Sequence, residues 1–199
     1  MSLAYKSFFS GILIAIGGLC YLNIENHIIG AFLFSIGLLT IFYLKLDLFT
    51  GWVCQLDKYA DPLEMLCVLF CNMFGASMIG ILTTIYNVDA AKEVWEAKLD
   101  KHWMIWVLSS IMCGMFIAIA VYGFQKTKSN LIVILAVMGF ILTGSEHCIA
   151  DTFYWVNSMI PDETAFESII RILVCALGNL IGGIFIGGLT YCIDVEEDK

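Results

Sequence analysis

Charge is scarce in this chain. Only 14% of its 199 residues are Asp, Glu, Lys or Arg, while 60% are hydrophobic. An ordinary soluble domain carries about 25% charged residues, and no soluble core absorbs this much apolar surface. Proline is nearly absent, with only Pro62 and Pro161. Neither stands in an Asn-Pro-Ala box, the signature that a water channel of aquaporin type requires. There is no basic stripe, and the net charge is −8, which excludes nucleic acid as a partner. The eight cysteines, at 20, 54, 67, 71, 113, 148, 175 and 192, include no Cys-x-x-Cys pair. Cys67 and Cys71 share a helix face, but no histidine or further cysteine completes a zinc set. The cysteines therefore read as small hydrophobes in apolar runs, and no cofactor or metal is expected.

What is present is a series of long apolar runs. A membrane-spanning helix needs about 20 mainly apolar residues, and the runs predict spans at 8–24, 29–53, 65–86, 103–124, 131–156 and 168–193. The expected protein is all-α, a single transmembrane domain over 1–199 with no second, soluble domain. The first run has no Ala-x-Ala cleavage site, so it reads as a span rather than a removed signal peptide. Residues 87–102 are the most charged internal stretch and read as a short surface helix with i,i+4 pairs. A polar loop holds Asp57, Lys58, Asp61, Pro62 and Glu64, another holds Pro161, Asp162 and Glu163, and the tail Asp194-Val195-Glu196-Glu197-Asp198 is acidic. Lys6, Lys58, Lys126, Lys128 and Lys199 on one side, with Lys45, against Lys92, Lys98, Lys101 and Arg171 on the other place both termini in the cytoplasm by a slight margin.

Two runs are interrupted. The second meets Lys45-Leu46-Asp47 before Leu48-Phe49-Thr50-Gly51-Trp52, and the fifth meets Thr143-Gly144-Ser145-Glu146-His147. They hold corresponding places in the two three-helix halves. Such a pair of interrupted spans points to a transport site in an inverted repeat. Asn72-Met73-Phe74-Gly75 in the third run and Asn179-Leu180-Ile181-Gly182 in the sixth echo one another, which supports duplication. Ionisable groups at membrane depth are costly and face the protein interior or a water-filled cavity. His147, with Glu146 and Asp151 beside it, is therefore the leading functional candidate; a hydrogen-bonded core histidine is the competing reading. A half-helix beginning inside the membrane aims N–H groups and a positive dipole end into a pore. Thr50 adds a hydroxyl, and a charged imidazole has two N–H donors.

Leu48-Phe49-Thr50-Gly51, Glu146-His147-Cys148-Ile149-Ala150 and Gly178-Asn179-Leu180-Ile181-Gly182-Gly183 resemble the formate/nitrite transporter family, in order and over almost the whole chain. The resemblance implies an aquaporin-like fold of six helices with the second and fifth broken. It also implies a homopentamer in the cell membrane, the inner membrane of a bacterium. Phe34 and Phe140 resemble the two phenylalanines that narrow the family's pore, one on each broken helix. Leu38, Leu48 and Phe49 look like further slit residues, and Asn179 belongs to the matching motif. Lys98 is placed like a lysine of the family's outer vestibule that draws anions in. The chain departs from the family's pattern at Ser145, where phenylalanine is usual, and at Gly114, Asp151 and Trp52, where asparagine is common. Asp151 puts a carboxylate one turn from the imidazole, so Glu146, Asp151 and Gly114 are expected modulators.

The expected activity is passive, pH-sensitive passage of a small monovalent acid anion such as formate, nitrite, acetate or hydrosulfide. Lys98 would gather the anion, Phe34 and Phe140 would form dry constrictions on either side, and Thr50 with His147 would stabilise it, or give it a proton, between them. Two other classes stay open at this point: an aquaporin-like facilitator of neutral solutes, and a membrane-embedded thiol oxidoreductase, which would be the only enzyme among the three.

Overall fold

The computed structural model describes residues 2–55, 58, 61–159 and 164–197, with side chains as far as Ile193. Asp57, the loop Pro161-Asp162-Glu163, and the acidic side chains from Asp194 onward lie outside the described residues. The described chain is helical: α1 Leu3–Leu22, α2 His27–Leu44, α3 Phe49–Trp52, α4 Pro62–Leu99, α5 Trp103–Thr127, α6 Asn130–Leu142, α7 Cys148–Ser158 and α8 Ala165–Glu197. Five of them, α1, α2, α4, α5 and α8, are long and apolar enough to cross a membrane.

Local chemistry sets the ends. Asn26 caps α2 by accepting from the N–H groups of Ile28 and Ile29, and Asp61 caps α4 with Pro62 at its first position, the place where a missing N–H costs nothing. Lys45 and Lys128 close α2 and α5 in the left-handed region, at φ 52° and 56°. The 13 residues of α6 rise only about 20 Å, short of the roughly 30 Å hydrocarbon layer. The chain turns at Gly144, φ 64°, before α7 begins.

The charged stretch at 87–102 differs from expectation. It is not a separate surface helix: α4 runs unbroken to Leu99. The buried face of α4 continues from Asn72, Ala76 and Gly80 through Thr83 and Asn87 to Ala91 and Trp95, with Lys92, Glu93 and Glu96 turned outward. From Ile81 to Leu99 neither proline nor glycine interrupts it, and the apolar stripe keeps its helical period. Trp95 docks by donating to Ser168 Oγ at 3.2 Å and by edge contact with Trp106. This extension delivers Lys98 to the site.

Two helix crossings repeat. Gly11 of α1 lies so close to α4 that a Cβ would meet the Asn72 carbonyl oxygen at 1.9 Å, and Gly114 of α5 stands against α8 in the same way, where a Cβ would meet the Asn179 carbonyl oxygen at 2.2 Å. Only a residue without a side chain lets the backbones approach this far, the small-residue packing common between membrane helices. α2 and α6 pack against each other. Large apolar side chains, among them Phe32, Ile36, Phe70, Phe74, Leu135 and Phe185, point outward, as a lipid solvent permits.

Candidate functional site

The site is built where two short helices begin. Leu48 precedes α3 and His147 precedes α7, and each of these helices is seated by an asparagine from a long helix. Asn72 accepts from the Phe49 N–H at 2.7 Å and donates to the carbonyls of Ser7 at 2.6 Å and Asp47 at 3.0 Å. Asn179 accepts from the Cys148 N–H at 3.1 Å and donates to the carbonyls of Ser110 and Glu146, both at 2.8 Å. Each amide thus spends three bonds on backbone groups that a membrane interior leaves no water to satisfy. Sequence reasoning singled out Asn179 but left Asn72, Ser7 and Ser110 out of the candidate site. The Asn-x-x-Gly echo at 72–75 and 179–182 was the signal available.

These supports bring Thr50 and His147, 97 residues apart in sequence, to 3.1 Å, Oγ1 to Nε2. Both are buried. His147 is also the N-cap of α7: its Nδ1 accepts from the Ala150 N–H at 3.3 Å. With Nδ1 used as an acceptor, the network assigns the ring proton to Nε2, which donates to Thr50 Oγ1. The Thr50 hydroxyl proton then has no other acceptor among the described hydrogen bonds. Three leading N–H groups of the two short helices, those of Phe49, Cys148 and Ala150, are by contrast already engaged by Asn72, Asn179 and His147.

Two open cavities flank the pair. One, about 200 Å³, is lined by Tyr21, Lys98, Lys101, Phe140, Ser145 and His147 together with Asp151 and Tyr154. The other, about 410 Å³, is lined by Lys6, Lys45, Asp47, Leu48, Gly51, Trp52, Gln55, Gln125 and Lys128. Phe34 and Phe140 are buried and touch each other edge to face at 5.6 Å between centroids, and Phe140 stacks on the His147 ring at 5.7 Å. The two phenylalanines therefore form one aromatic barrier on one side of the imidazole, not two gates enclosing it. Leu38, Leu48 and Phe49 are also buried, and Leu48 borders the larger cavity. Removing one ring should widen this barrier: Phe34→Ala or Phe140→Ala is expected to raise flux severalfold and to admit larger carboxylates such as lactate. Rates for a size series of monocarboxylates, measured in proteoliposomes, check this.

Lys98 is not an unattached lure. Its Nζ bonds to Glu146 and lies 2.9 Å from Asp151 Oδ1. Lys101, which sequence reasoning left out of the site, completes the group through Glu146 and the Gly144 carbonyl at 2.9 Å. Arg171, whose guanidinium lies over the rings of Trp103 and Trp106, donates to the Lys101 carbonyl at 3.1 Å and so holds that turn. Asp151 makes its ion pair with Lys98 and none of its hydrogen bonds with His147. Gly114 does not border either cavity; it is a packing position between α5 and α8. Among the described residues no group of His, Cys, Asp or Glu is arranged to hold a metal ion.

Several apolar crossings around a buried polar pair, with a cavity on each side of it, define a multi-pass membrane transport protein. A family model described as formate/nitrite transporter matches residues 1–193, and the chain belongs to that family, one of transporters of small anions rather than enzymes. The chain is similar to an uncharacterised transporter, YrhG, of Bacillus subtilis, at 23% identity over 96% of this chain and 84% of the relative. It is also similar to a formate-nitrite transporter of Plasmodium ovale, at 26% identity over 84% of this chain and 66% of the relative. Two solved structures share the fold. One is described as a pentameric formate channel with formate bound, with TM-score 0.78, 21% identity, and 96% and 98% of the two chains covered. The other is described as an FNT family ion channel, with TM-score 0.79, 18% identity, and 97% and 88% covered.

Proposed function

We propose that this chain forms a pore for small monovalent weak-acid anions, of the size of formate, nitrite, acetate or hydrosulfide, with passage that depends on pH. The observation that carries the reading is the buried Thr50–His147 pair with an unspent hydroxyl donor, set between two cavities. An anion that sheds water must find donors at once, because bare charge in an apolar slit is prohibitive. The Thr50 hydroxyl and the imidazole N–H supply them at the buried pair between the cavities. Phe34 with Phe140 bar one approach, and Leu38, Leu48 and Phe49 bar the other. His147 passes a proton to the permeant or stabilises it as an anion. Either act lowers the cost of crossing the apolar rings.

The same proposal includes the architecture. The six crossings are α1, α2 with α3, α4, α5, α6 with α7, and α8, arranged as two inverted three-helix repeats. The matched bonds of Asn72 and Asn179 and the matched contacts of Gly11 and Gly114 support this reading. The protein assembles as a homopentamer in the cell membrane of a bacterium, with its termini in the cytoplasm. The relative described as a pentameric formate channel and the many outward apolar side chains support that assembly.

The test is a flux panel in proteoliposomes: formate, nitrite, acetate and hydrosulfide against pH, with water and glycerol measured alongside. Saturable flux of one or more of these anions, changing with pH, is expected. Water or glycerol flux without anion flux would overturn the reading in favour of a neutral-solute facilitator.

A further inference from the structure

The two cavities differ in charge. The larger is lined by three lysines, Lys6, Lys45 and Lys128, against one carboxylate, Asp47. The smaller is lined by Lys98, Lys101 and Asp151, and Glu146 sits behind them, bonded to both lysines. At this mouth two ammonium groups face two carboxylates, and the sum is zero. The carboxylates are the buried members, at 0% and 1% exposure, whereas the lysines keep 14% and 26%. Glu146 already serves both lysines. Asp151 adds nothing to the seating of α7, which Asn179 and His147 provide. Its other oxygen accepts only a weak bond from Cys175 Sγ at 3.5 Å. What it contributes is one negative charge, set against Lys98.

We infer that Asp151 is a specificity-determining residue: by pairing with Lys98 it cancels the positive charge of this mouth, so the pore favours weak acids over permanent anions. This rests on the transport reading above. A net positive mouth concentrates every anion alike. A neutral mouth gives no such advantage, and a permanent anion such as nitrate must then cross the Phe34–Phe140 barrier without enrichment. A weak acid suffers less, because part of it arrives carrying its proton and does not feel the field. Near the mouth one unit charge is worth roughly a fivefold change in local anion concentration in dilute salt, and the effect fades as the Debye length shrinks.

The test compares nitrate and formate flux through the full-length protein in proteoliposomes, at mildly acidic pH and low ionic strength, for the wild type, Asp151→Asn and Ala97→Lys. The first is nearly isosteric and leaves a net charge of one at the mouth. Ala97 lines the same cavity from the exposed side of α4, so the second adds the same charge without touching the cluster. Both are expected to raise nitrate flux roughly fivefold and formate flux by less, since the part of the formate that arrives protonated gains nothing; the nitrate-to-formate ratio rises accordingly, and the gain shrinks at 0.5 M salt. Asp151→Asn combined with Lys98→Gln is expected to return the ratio to that of the wild type. A ratio unmoved in both single variants, each eluting and unfolding like the wild type, would overturn the role of Asp151. A wild type that carries neither formate nor nitrate would overturn the transport reading itself.

Discussion

Replacing His147 with phenylalanine is expected to cut anion flux about a hundredfold while the protein still assembles. The size follows from what the ring does. Its Nε2–H meets Thr50 Oγ1 at 3.1 Å, at the buried polar pair proposed to meet the permeant, and a hydrogen bond to a charged partner is worth roughly 1.5–3 kcal/mol. Phenylalanine fills the volume and stacks on Phe140 as the imidazole does, so the aromatic column persists but the polar step in it is gone. The ring also caps α7 through the Ala150 N–H, and losing a cap costs about 1 kcal/mol. His147→Asn separates the two roles. Asparagine is a good cap residue but too short to reach Thr50, so it should restore stability and leave flux low. Thr50→Val is the isosteric counterpart and should be impaired to a similar degree. The double variant should be scarcely worse than either single one, because both remove the same step. Formate flux within twofold of the wild type for His147→Phe and Thr50→Val alike would remove the pair from the pathway.

How much of this was legible in the sequence differs from residue to residue. The apolar runs, the family motifs and the interruptions around Asp47 and Glu146 could be read directly, because each is a local break in hydropathy. His147 stood out for the same reason. The single aromatic barrier could not be read. Phe34 and Phe140 sit on different interrupted runs, which suggests one gate per half, and only the packing of α2 on α6 shows that the rings meet. The ion pairs of Lys98 could not be read, because its partners lie 48 and 53 positions away, at Glu146 and Asp151. Residues 87–102 misled in the opposite direction. Their charges suggest a detached surface helix, yet Asn87, Ala91 and Trp95 continue the buried stripe of α4 at the helical period, and that stripe was present in the sequence to be found. Asp151 shows where a departure from a pattern needs coordinates. Spacing puts it one turn from His147, but its side chain turns to Lys98, so its influence is on the charge of the mouth.

The second large effect concerns the two asparagines, which carry no chemistry of their own. Asn179 holds the Glu146 carbonyl and the Cys148 N–H, the backbone groups on either side of His147, and so fixes where the imidazole stands. Asn72 does the same around Leu48, holding the Asp47 carbonyl and the Phe49 N–H just ahead of Thr50. Asn179→Asp keeps the shape and the acceptor for Cys148, but it sets oxygen where an N–H₂ group faced the carbonyls of Ser110 and Glu146 at 2.8 Å. Two buried carbonyls lose their donor and gain a repulsive neighbour, where an unsatisfied buried group costs roughly 1–3 kcal/mol and a charged one more. Lipid supplies no water to relieve this. Asn179→Asp is therefore expected to lower the unfolding temperature in detergent by roughly 10 °C or more and to abolish flux in whatever protein survives. Asn179→Leu, which orphans the Cys148 N–H as well, should behave no better. Asn72→Asp should follow the same course but less steeply, since its bond to the Asp47 carbonyl is only part-buried. Thermal scans read beside flux decide the matter. An Asn179→Asp protein that melts with the wild type and conducts normally would mean that the ends of α6 and α7 are held by something other than this amide. A protein that melts normally but conducts poorly would show the amide acting only through the placement of His147.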